Sequence, residues 1–308
     1  MINRFALAFL TSVSMVTVAC ADEVSKSSQS EPVQAVVTTA AGSGFTAPDQ
    51  DWRDLDPENT LYLDVEYGRF VIELFPEIAP KHVAQIKTLV RQSFYDHITF
   101  HRVIDGFMNQ TGDPKGDGSG DSDLPDLQSE FTFRRGADMG FTVVGARPNG
   151  KGGEIGVGFY KSLQIASQPS SQAILTKDGK VTAYGLHCSG VTSMARTNDP
   201  NSANSQFFLM RGTAEHLDAT YSVWGNTVWG RENLTKIKVG SKGENPNFVP
   251  DKILKAKIAA DVPEAERVNI QVLKPESSSF QRFLKFQKKA NGSYPDVCDI
   301  DLPSRIKK

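Results

Sequence analysis

The run FHRVIDGFMNQTGDP, residues 100–114, constrains the fold of this 308-residue chain more than any other stretch. Its apolar side chains form a bounded run of strand length, punctuated by the turn pair Asp105-Gly106. They are Phe100, Val103, Ile104, Phe107 and Met108. One cation, Arg102, stands among them. Because an arginine is rarely buried unless its five donors have partners, Arg102 either faces solvent from a half-buried strand or belongs to a site that uses its charge.

Two later blocks follow this run in order: VTSMARTNDPNSANSQFFLM, residues 191–210, and HLDATYSVWGNTVWG, residues 216–230. Together the three blocks resemble the cyclophilin-type peptidyl-prolyl cis/trans isomerases. That family carries FHR and GFMxQxGD, then SMA and SQFF, then an LD segment before a strand that ends in a VFG-like turn. The resemblance runs from about Glu58 to Leu273, with one long insertion. Chance is a poor explanation for three separate blocks in the right order.

The resemblance implies a mainly β fold, with a closed eight-stranded antiparallel β-barrel capped by two helices, a β-rich insertion and a C-terminal helical extension. The local patterns also favour a barrel, because they predict many short strands and few helices. Residues 61–75 alternate around a turn at 67–69 and predict a β-hairpin. Residues 80–92 predict an amphipathic helix that begins at Pro80, and residues 268–273 predict a closing strand.

The chain divides into a signal peptide (1–21), a flexible tether (22–48), a cyclophilin-like domain (49–275) and an extension (276–308). The domain contains the insertion, at about 134–184, whose alternating residues predict a hairpin that turns at 148–153. We interpret the insertion as an excursion from the barrel and not as a domain. The extension predicts a helix laid on the barrel, because it places Phe280, Phe283, Leu284 and Phe286 in a basic segment.

Rotation about an X-Pro bond faces a barrier of ~18–20 kcal/mol, because the amide C–N bond has partial double-bond character. The reaction requires no nucleophile, metal or cofactor. It is accelerated by a dry groove that holds the proline ring and by a donor that stabilises the pyramidal prolyl nitrogen. The resemblance implies that Arg102 is this donor, and that Gln110 hydrogen-bonds Arg102 and a substrate carbonyl.

The resemblance also implies which residues bind the substrate. They are Phe107, Met108, Ala195, Arg196, Gln206, Phe208, His216, Leu217 and Tyr221. Taken alone, a Phe or Met in a strand is more often ordinary barrel core, so only the joint spacing favours a pocket. Ala195 and Arg196 are expected to meet the substrate backbone, with Arg196 at a position where the family usually has asparagine.

Other function classes have weaker support. One alternative is a catalytically silent binding module or chaperone on the same scaffold, in which the insertion covers or replaces the groove. The joint retention of the motif residues argues against lost activity. Residues 113–123 are spaced like a calcium loop, yet Lys115 stands at a ligand position and Leu124 where the bidentate glutamate belongs. We therefore expect no metal site.

Residues 1–21 have the pattern of an export signal: a short positive start, an apolar stretch and small residues at the end. Thr17-Val18-Ala19-Cys20 resembles a lipobox, in which Cys20 is lipidated, while the small residues Ala19 and Ala21 also suit ordinary signal peptidase. The favoured reading is a lipoprotein on the periplasmic side of the bacterial cell envelope, anchored through Cys20. Its polar tether cannot bury enough apolar surface to fold.

Two cysteines remain beyond the export signal, Cys188 and Cys298. An oxidising compartment permits a disulfide between them, and two buried free thiols are the alternative. The formal net charge of −2 gives no support for nucleic-acid binding. The expected partners are proline-containing unfolded or partly folded polypeptides, the membrane is met only through the lipid anchor, and the protein is expected to be a monomer.

Overall fold

The computed structural model describes residues 45–150 and 152–307. The predicted signal peptide, Cys20 and residues 22–44 of the predicted tether lie outside the described residues. The last part of the predicted tether is packed: the Phe45 ring meets the Phe283 ring edge-on at 5.4 Å, and Trp52 Nε1 donates to Ala47 O at 3.3 Å. Residues 45–48 of the predicted tether are therefore part of the folded structure.

Short strands dominate the described chain, as the alternating apolar pattern predicts. The strands are β1 (Trp52–Asp54), β2 (Thr60–Val65), β3 (Gly68–Leu74), β4 (Arg102–Ile104), β5 (Met108–Thr111), β6 (Phe133–Arg135), β7 (Thr142–Pro148), β8 (Glu154–Tyr160), β9 (Leu163–Ser167), β10 (Val181–Gly185), β11 (Val191–Met194), β12 (Phe207–Met210), β13 (Val223–Trp229), β14 (Gly240–Ser241), β15 (Ile253–Ile258), β16 (Ile270–Leu273) and β17 (Ser304–Ile306). The α-helices are α1 (Pro80–Arg91) and α2 (Ser278–Phe286). The prediction of a mainly β fold is confirmed.

The main sheet has nine antiparallel strands in the order β14-β4-β5-β12-β11-β13-β3-β2-β15. The hairpin predicted at 61–75 is β2 and β3, with Val65 opposite Gly68 across the turn. The ends of the sheet, β14 and β15, are not joined by a ladder. Hydrogen bonds from Phe100 N to Asp251 O and from Ile253 N to Ile98 O, both 2.8 Å, link the flanking segments instead. The closed eight-stranded barrel therefore stays a prediction.

One face of the main sheet is covered by α1, which starts at Pro80 as predicted. The helix has no side-chain N-cap of its own, and the carboxylate of Glu130 accepts hydrogen bonds from the first backbone N–H groups, at Lys81 and His82. Val83, Ile86, Leu89 and Val90 lie on its buried face, in one core with the strands. A 3-10 helix, Arg231–Lys236, adds Leu234 to the same core, and the second capping helix stays a prediction.

The insertion builds a sheet of its own, with the strand order β6-β10-β9-β8-β7. Its hairpin β7–β8 pairs Pro148 with Glu154, so the predicted turn at 148–153 is confirmed. Phe159, Leu163 and Ile165 are buried in its core. An excursion of this size can therefore bury apolar surface and support other elements.

The C-terminal region corrects one expectation. Strand β16 does not close the barrel, because it pairs with β1 and β17 in a separate three-stranded sheet. Helix α2 contacts the insertion: Phe280 meets Phe159 of β8 edge-on at 5.5 Å. A disulfide joins Cys188 to Cys298, with their Cα atoms 4.9 Å apart. Within the described residues no helix is long and apolar enough to cross a membrane.

Candidate active site

A cavity of about 350 Å³ opens between the main sheet and the loop that precedes β13. It is lined by Arg102, Phe107, Met108, Gln110, Ala195, Arg196, Phe208, His216, Leu217 and Tyr221. Every residue predicted from sequence to act on or bind the substrate lines this cavity except Gln206, although the lining comes from three motif blocks far apart in the chain.

Strand register places the polar groups of one wall. Arg102 of β4 lies opposite Gln110 of β5, and Gln110 lies opposite Phe208 of β12. Residues directly opposite each other in an antiparallel pair point to the same face, so these three side chains converge. Arg102 Nη1 donates to Gln110 Oε1 at 3.2 Å and lies 4.0 Å from Met108 Sδ. The guanidinium is thereby held at the cavity by its neighbouring strand.

Gln206 lies behind this wall and does not line the cavity. Its Oε1 accepts from Gln110 Nε2 at 3.1 Å, and its Nε2 donates to the carbonyls of Gly118 and Gly120, at 3.1 and 2.9 Å. The hydrogen bonds run in series from Arg102 through Gln110 to Gln206 and the glycine-rich loop. Gln206 therefore supports Gln110 from behind, and its contact with the substrate stays a prediction.

The glycine-rich loop is held by an internal carboxylate. Asp113 is buried and accepts from the backbone N–H groups of Lys115, Asp117 and Gly118. Gly112 has φ +90°, and a Cβ there would lie 2.3 Å from the Ser205 carbonyl oxygen, so the approach of loop to strand requires glycine. Among the described residues no cluster of three or more His, Cys, Asp or Glu side chains could hold a metal ion.

Aromatic rings form a second wall, which shares Phe208 with the first. Phe208 meets Tyr221 edge-on at 5.8 Å, and Phe107 lies 5.9 Å from the His216 ring at 30°. Arg196 spreads over the Tyr221 ring at 4.4 Å and donates from Nε and Nη2 to the Thr220 carbonyl, at 3.2 and 3.1 Å. Its side chain therefore braces the rim.

The backbone N–H of the neighbouring position, Ala195, is already paired. It donates to Gln206 O at 2.9 Å. This group therefore continues the pairing with the next strand, and the contact of the Ala195 backbone with a substrate stays a prediction.

Sequence reasoning missed two residues behind the aromatic wall, His187 and Asp218. The buried His187 ring stacks on Phe208 at 6.2 Å and 25°. Asp218 Oδ1 accepts from His187 N at 2.8 Å and lies 3.0 Å from His187 Nδ1, so Nδ1 carries the proton of that contact. Only Asp218 could have been found from sequence, because it follows Leu217 in the LD motif.

Burial also affects the residue beside Arg102. His101 is 3% exposed, and neither ring nitrogen has a hydrogen-bond partner within the described residues. Burial lowers the pKa of His101 below its usual value, with a smaller contribution in the same direction from the charge of Arg102, while Asp113 and Asp117 oppose the shift. The ring is therefore held neutral next to the active-site cation.

Comparison with known proteins identifies relatives of this chain. The family model described as Cyclophilin type peptidyl-prolyl cis-trans isomerase/CLD matches residues 60–258. A probable peptidyl-prolyl cis-trans isomerase of Brucella suis biovar 1 is 40% identical over 207 residues, 67% of this chain and 85% of the relative. Peptidyl-prolyl cis-trans isomerase-like 3 of Gallus gallus is 31% identical over 179 residues, 58% of this chain and 80% of that protein.

A solved structure extends the likeness. The crystal structure of cyclophilin AquaCyp293 from Hirschia baltica has a TM-score of 0.74 and 35% identity, and the match covers 84% of this chain and 95% of that one. The fold and these matches define a peptidyl-prolyl isomerase. The chain belongs to the cyclophilin-type peptidyl-prolyl cis-trans isomerases, and it is an enzyme that isomerises prolyl bonds of polypeptides without a cofactor.

Proposed function

We propose that Arg102 and Gln110 carry the isomerisation and that the substrates are X-Pro bonds in envelope proteins, whose folding the enzyme assists. The single observation that supports Arg102 most strongly is its hydrogen bonding. Within the described residues all hydrogen bonds of Arg102 use Nη1, so Nε–H and Nη2 stay available to a peptide in the cavity. A guanidinium that is fixed on one side and free on the other suits a donor to the prolyl nitrogen.

The apolar lining supports the complementary role. Phe107, Met108, Phe208 and Leu217 surround a space suited to a proline ring. Holding the ring while the preceding carbonyl rotates keeps water away from the amide, which strengthens the hydrogen bond from Arg102. Each ~1.4 kcal/mol removed from the barrier gives a tenfold gain in rate, so one donor in this setting has a large effect.

The silent binding module requires the insertion to cover or replace the groove. The lining of the cavity includes no residue of the insertion, 134–184. This observation favours the catalytic reading, since the groove keeps both its cation and its apolar wall.

Substitution of Arg102 tests the assignment. Arg102→Ala is expected to reduce kcat/KM about 10²-fold or more on a short Ala-Pro peptide in a protease-coupled assay. Arg102→Lys is expected to recover little, because an ammonium does not reproduce the planar fork. Arg134→Ala is the matched control, because Arg134 is exposed and paired with Asp178 inside the insertion. A folded Arg102→Ala protein with wild-type turnover would contradict the assignment.

The envelope location follows from the N-terminal pattern and is part of the same proposal. Lipid on Cys20 would hold the enzyme at the membrane on the periplasmic side, as a monomer. Cys20→Ala is expected to release the mature protein from the membrane fraction or to block its processing. Mass spectrometry that finds an unlipidated mature N-terminus at Asp22 would contradict the anchor. Light scattering of the released protein checks the monomer.

The client class needs its own experiment. An exported protein whose refolding is limited by a prolyl bond is expected to refold faster with wild-type enzyme and at the uncatalysed rate with Arg102→Ala. Equal acceleration by both proteins would favour a chaperone function that does not depend on isomerisation.

A further inference from the structure

Arg147 lies near the end of β7 in the insertion, and its side chain contacts the C-terminal extension. Its Nε and Nη2 donate to the two carboxylate oxygens of Asp296, at 3.2 and 2.5 Å. Nη2 also lies 3.5 Å from Sγ of Cys298, which is disulfide-bonded to Cys188. One guanidinium thus joins the insertion to the extension, beside the disulfide that ties the extension to the segment between β10 and β11.

The third nitrogen of the same guanidinium faces the short 3-10 helix Glu215–Leu217, which carries two residues of the cavity lining. Arg147 Nη1 lies 3.5 Å from Glu215 Oε1 and 3.8 Å from Asp218 Oδ2. The side chains of Arg147 and Asp218 are only 15% and 13% exposed, whereas that of Glu215 is 67% exposed. Solvent therefore screens the pair with Asp218 less than the pair with Glu215.

The charge of Arg147 is secured by its neighbours. Burial works against that charge, but the hydrogen bond to Asp296 and the negative charges of Asp296, Glu215 and Asp218 outweigh it, so the pKa of Arg147 is raised. The cation is therefore present throughout the range in which the enzyme can work.

Asp218 connects Arg147 to His187, which packs against the pocket wall. While Oδ2 faces Arg147, Oδ1 accepts from the backbone and ring nitrogens of His187. The far nitrogen of the ring, Nε2, lies 3.2 Å from Ser193 Oγ. The imidazole is thus fixed at both ends, and its face supports Phe208 at 6.2 Å.

We propose that Arg147 is a positioning residue for the isomerase pocket, acting through Asp218 on Leu217 and, by way of His187, on Phe208. The inference rests on the proposed assignment of the cavity as the proline pocket. It gives the insertion a function in the reaction: Arg147 does not touch the substrate, and it fixes the wall that does.

A wall that holds the proline ring acts on the ground state and on the transition state alike. Its loosening weakens substrate binding and leaves the rate on the enzyme nearly unchanged. Loss of Arg102 has the opposite signature, because its hydrogen bond to the prolyl nitrogen strengthens in the transition state. The two roles can therefore be separated by measuring binding and exchange independently.

The experiment uses NMR exchange spectroscopy on a peptide with one Ala-Pro bond, which yields Kd and the on-enzyme exchange rate separately. Arg147→Gln is expected to raise Kd about five- to tenfold and to change the exchange rate by less than about twofold. Arg147→Lys is expected to recover part of the affinity, because it keeps the charge without the bidentate geometry. Asp296→Asn, which leaves Arg147 in place, is expected to act in the same direction with a smaller effect.

Arg134→Gln is the matched control, since it removes an arginine from the same insertion whose ion pair with Asp178 does not reach the pocket. The proposal is overturned if Arg147→Gln binds the peptide as tightly as Arg134→Gln, or if its loss of activity only follows its unfolded fraction. If Arg147→Gln does not fold, Asp296→Asn decides: unchanged Kd overturns the proposal.

Failure of the cavity assignment gives a different pattern. In that case the wild type would catalyse exchange, and Arg102→Ala would catalyse it at the same rate. Failure of the positioning role alone would leave Arg102→Ala impaired and Arg147→Gln indistinguishable from the control.

Discussion

The two walls of the cavity are built in different ways. Arg102, Gln110 and Phe208 stand on three adjacent strands, where ladder hydrogen bonds fix the register. His216 and Leu217 stand on one turn of 3-10 helix, which is not paired in a strand ladder. The strand wall is held by local pairing, whereas the turn of the loop wall faces Arg147 of the insertion, which in turn binds Asp296 of the extension.

This difference indicates where a segment inserted into the main-sheet fold can affect catalysis. A ladder cannot shift by one residue without turning every side chain to the other face, so the register of the strand wall is fixed independently of additions elsewhere in the chain, and only the Phe208 ring takes further support from His187. A single helical turn has no such constraint and takes its position from whatever packs against it. The insertion approaches the cavity at this less constrained wall through Arg147, which also binds the extension.

The largest expected effect concerns the disulfide that ties the extension beside the loop wall. The bond closes a loop of 110 residues, and the chain-entropy model gives it a contribution of up to ~4.7 kcal/mol to the free energy of unfolding. Urea unfolding of the wild-type protein is expected to shift to markedly lower urea with reductant. A Cys188→Ser, Cys298→Ser double variant is the control and should not respond. Equal midpoints for the wild type with and without reductant would show that the thiols are not bonded.

The strand wall was predictable from sequence for the reason that makes it rigid. Motif residues such as Arg102 and Gln110 lie on the two strands of one hairpin, so their separation along the chain determines their distance in the fold. The hairpins and α1 followed from local alternation and from Pro80 in the same way.

The loop wall was not predictable, because its partners are far apart in the chain. Arg147 lies 71 residues from Asp218 and 149 residues from Asp296, and periodicity carries no information on such pairs. The same reason explains why β16 was assigned to the barrel and why the contact of α2 with the insertion was not foreseen. Each has an apolar face that fits more than one partner.

A smaller effect tests whether the strand wall is as self-sufficient as its ladder suggests. Gln206→Leu removes the amide that supports Gln110 from behind, so Gln110 loses its orientation toward Arg102. We expect kcat/KM to fall about fivefold, in line with the ~1 kcal/mol of a typical hydrogen bond. Gln281→Leu, on the exposed face of α2, is the control. Unchanged kinetics in the peptide assay would mean that the register alone orients Gln110.

The smallest effect compares the buried histidines of the two walls. Both ring nitrogens of His187 have partners, whereas those of His101, beside Arg102, have none within the described residues. Burial is the main cause that lowers the pKa of His101 in the folded protein, so between that lowered pKa and about 6.5 the unfolded chain binds more protons than the folded one. Stability is therefore complete above this window and falls as the pH drops through it.

The slope is at most ~1.4 kcal/mol per pH unit for this one group. Urea unfolding between pH 5 and 8 is expected to show the decline for the wild type, and a smaller one for His101→Gln, which does not titrate. His97→Asn is the matched control, because His97 is exposed and has a positive φ that asparagine tolerates. The comparison is read from slopes, so a general loss of stability in His101→Gln does not affect it. Parallel curves for His101→Gln and the wild type would show that His101 does not change its charge on unfolding, and that the neutral ring beside Arg102 has no energetic consequence for the strand wall.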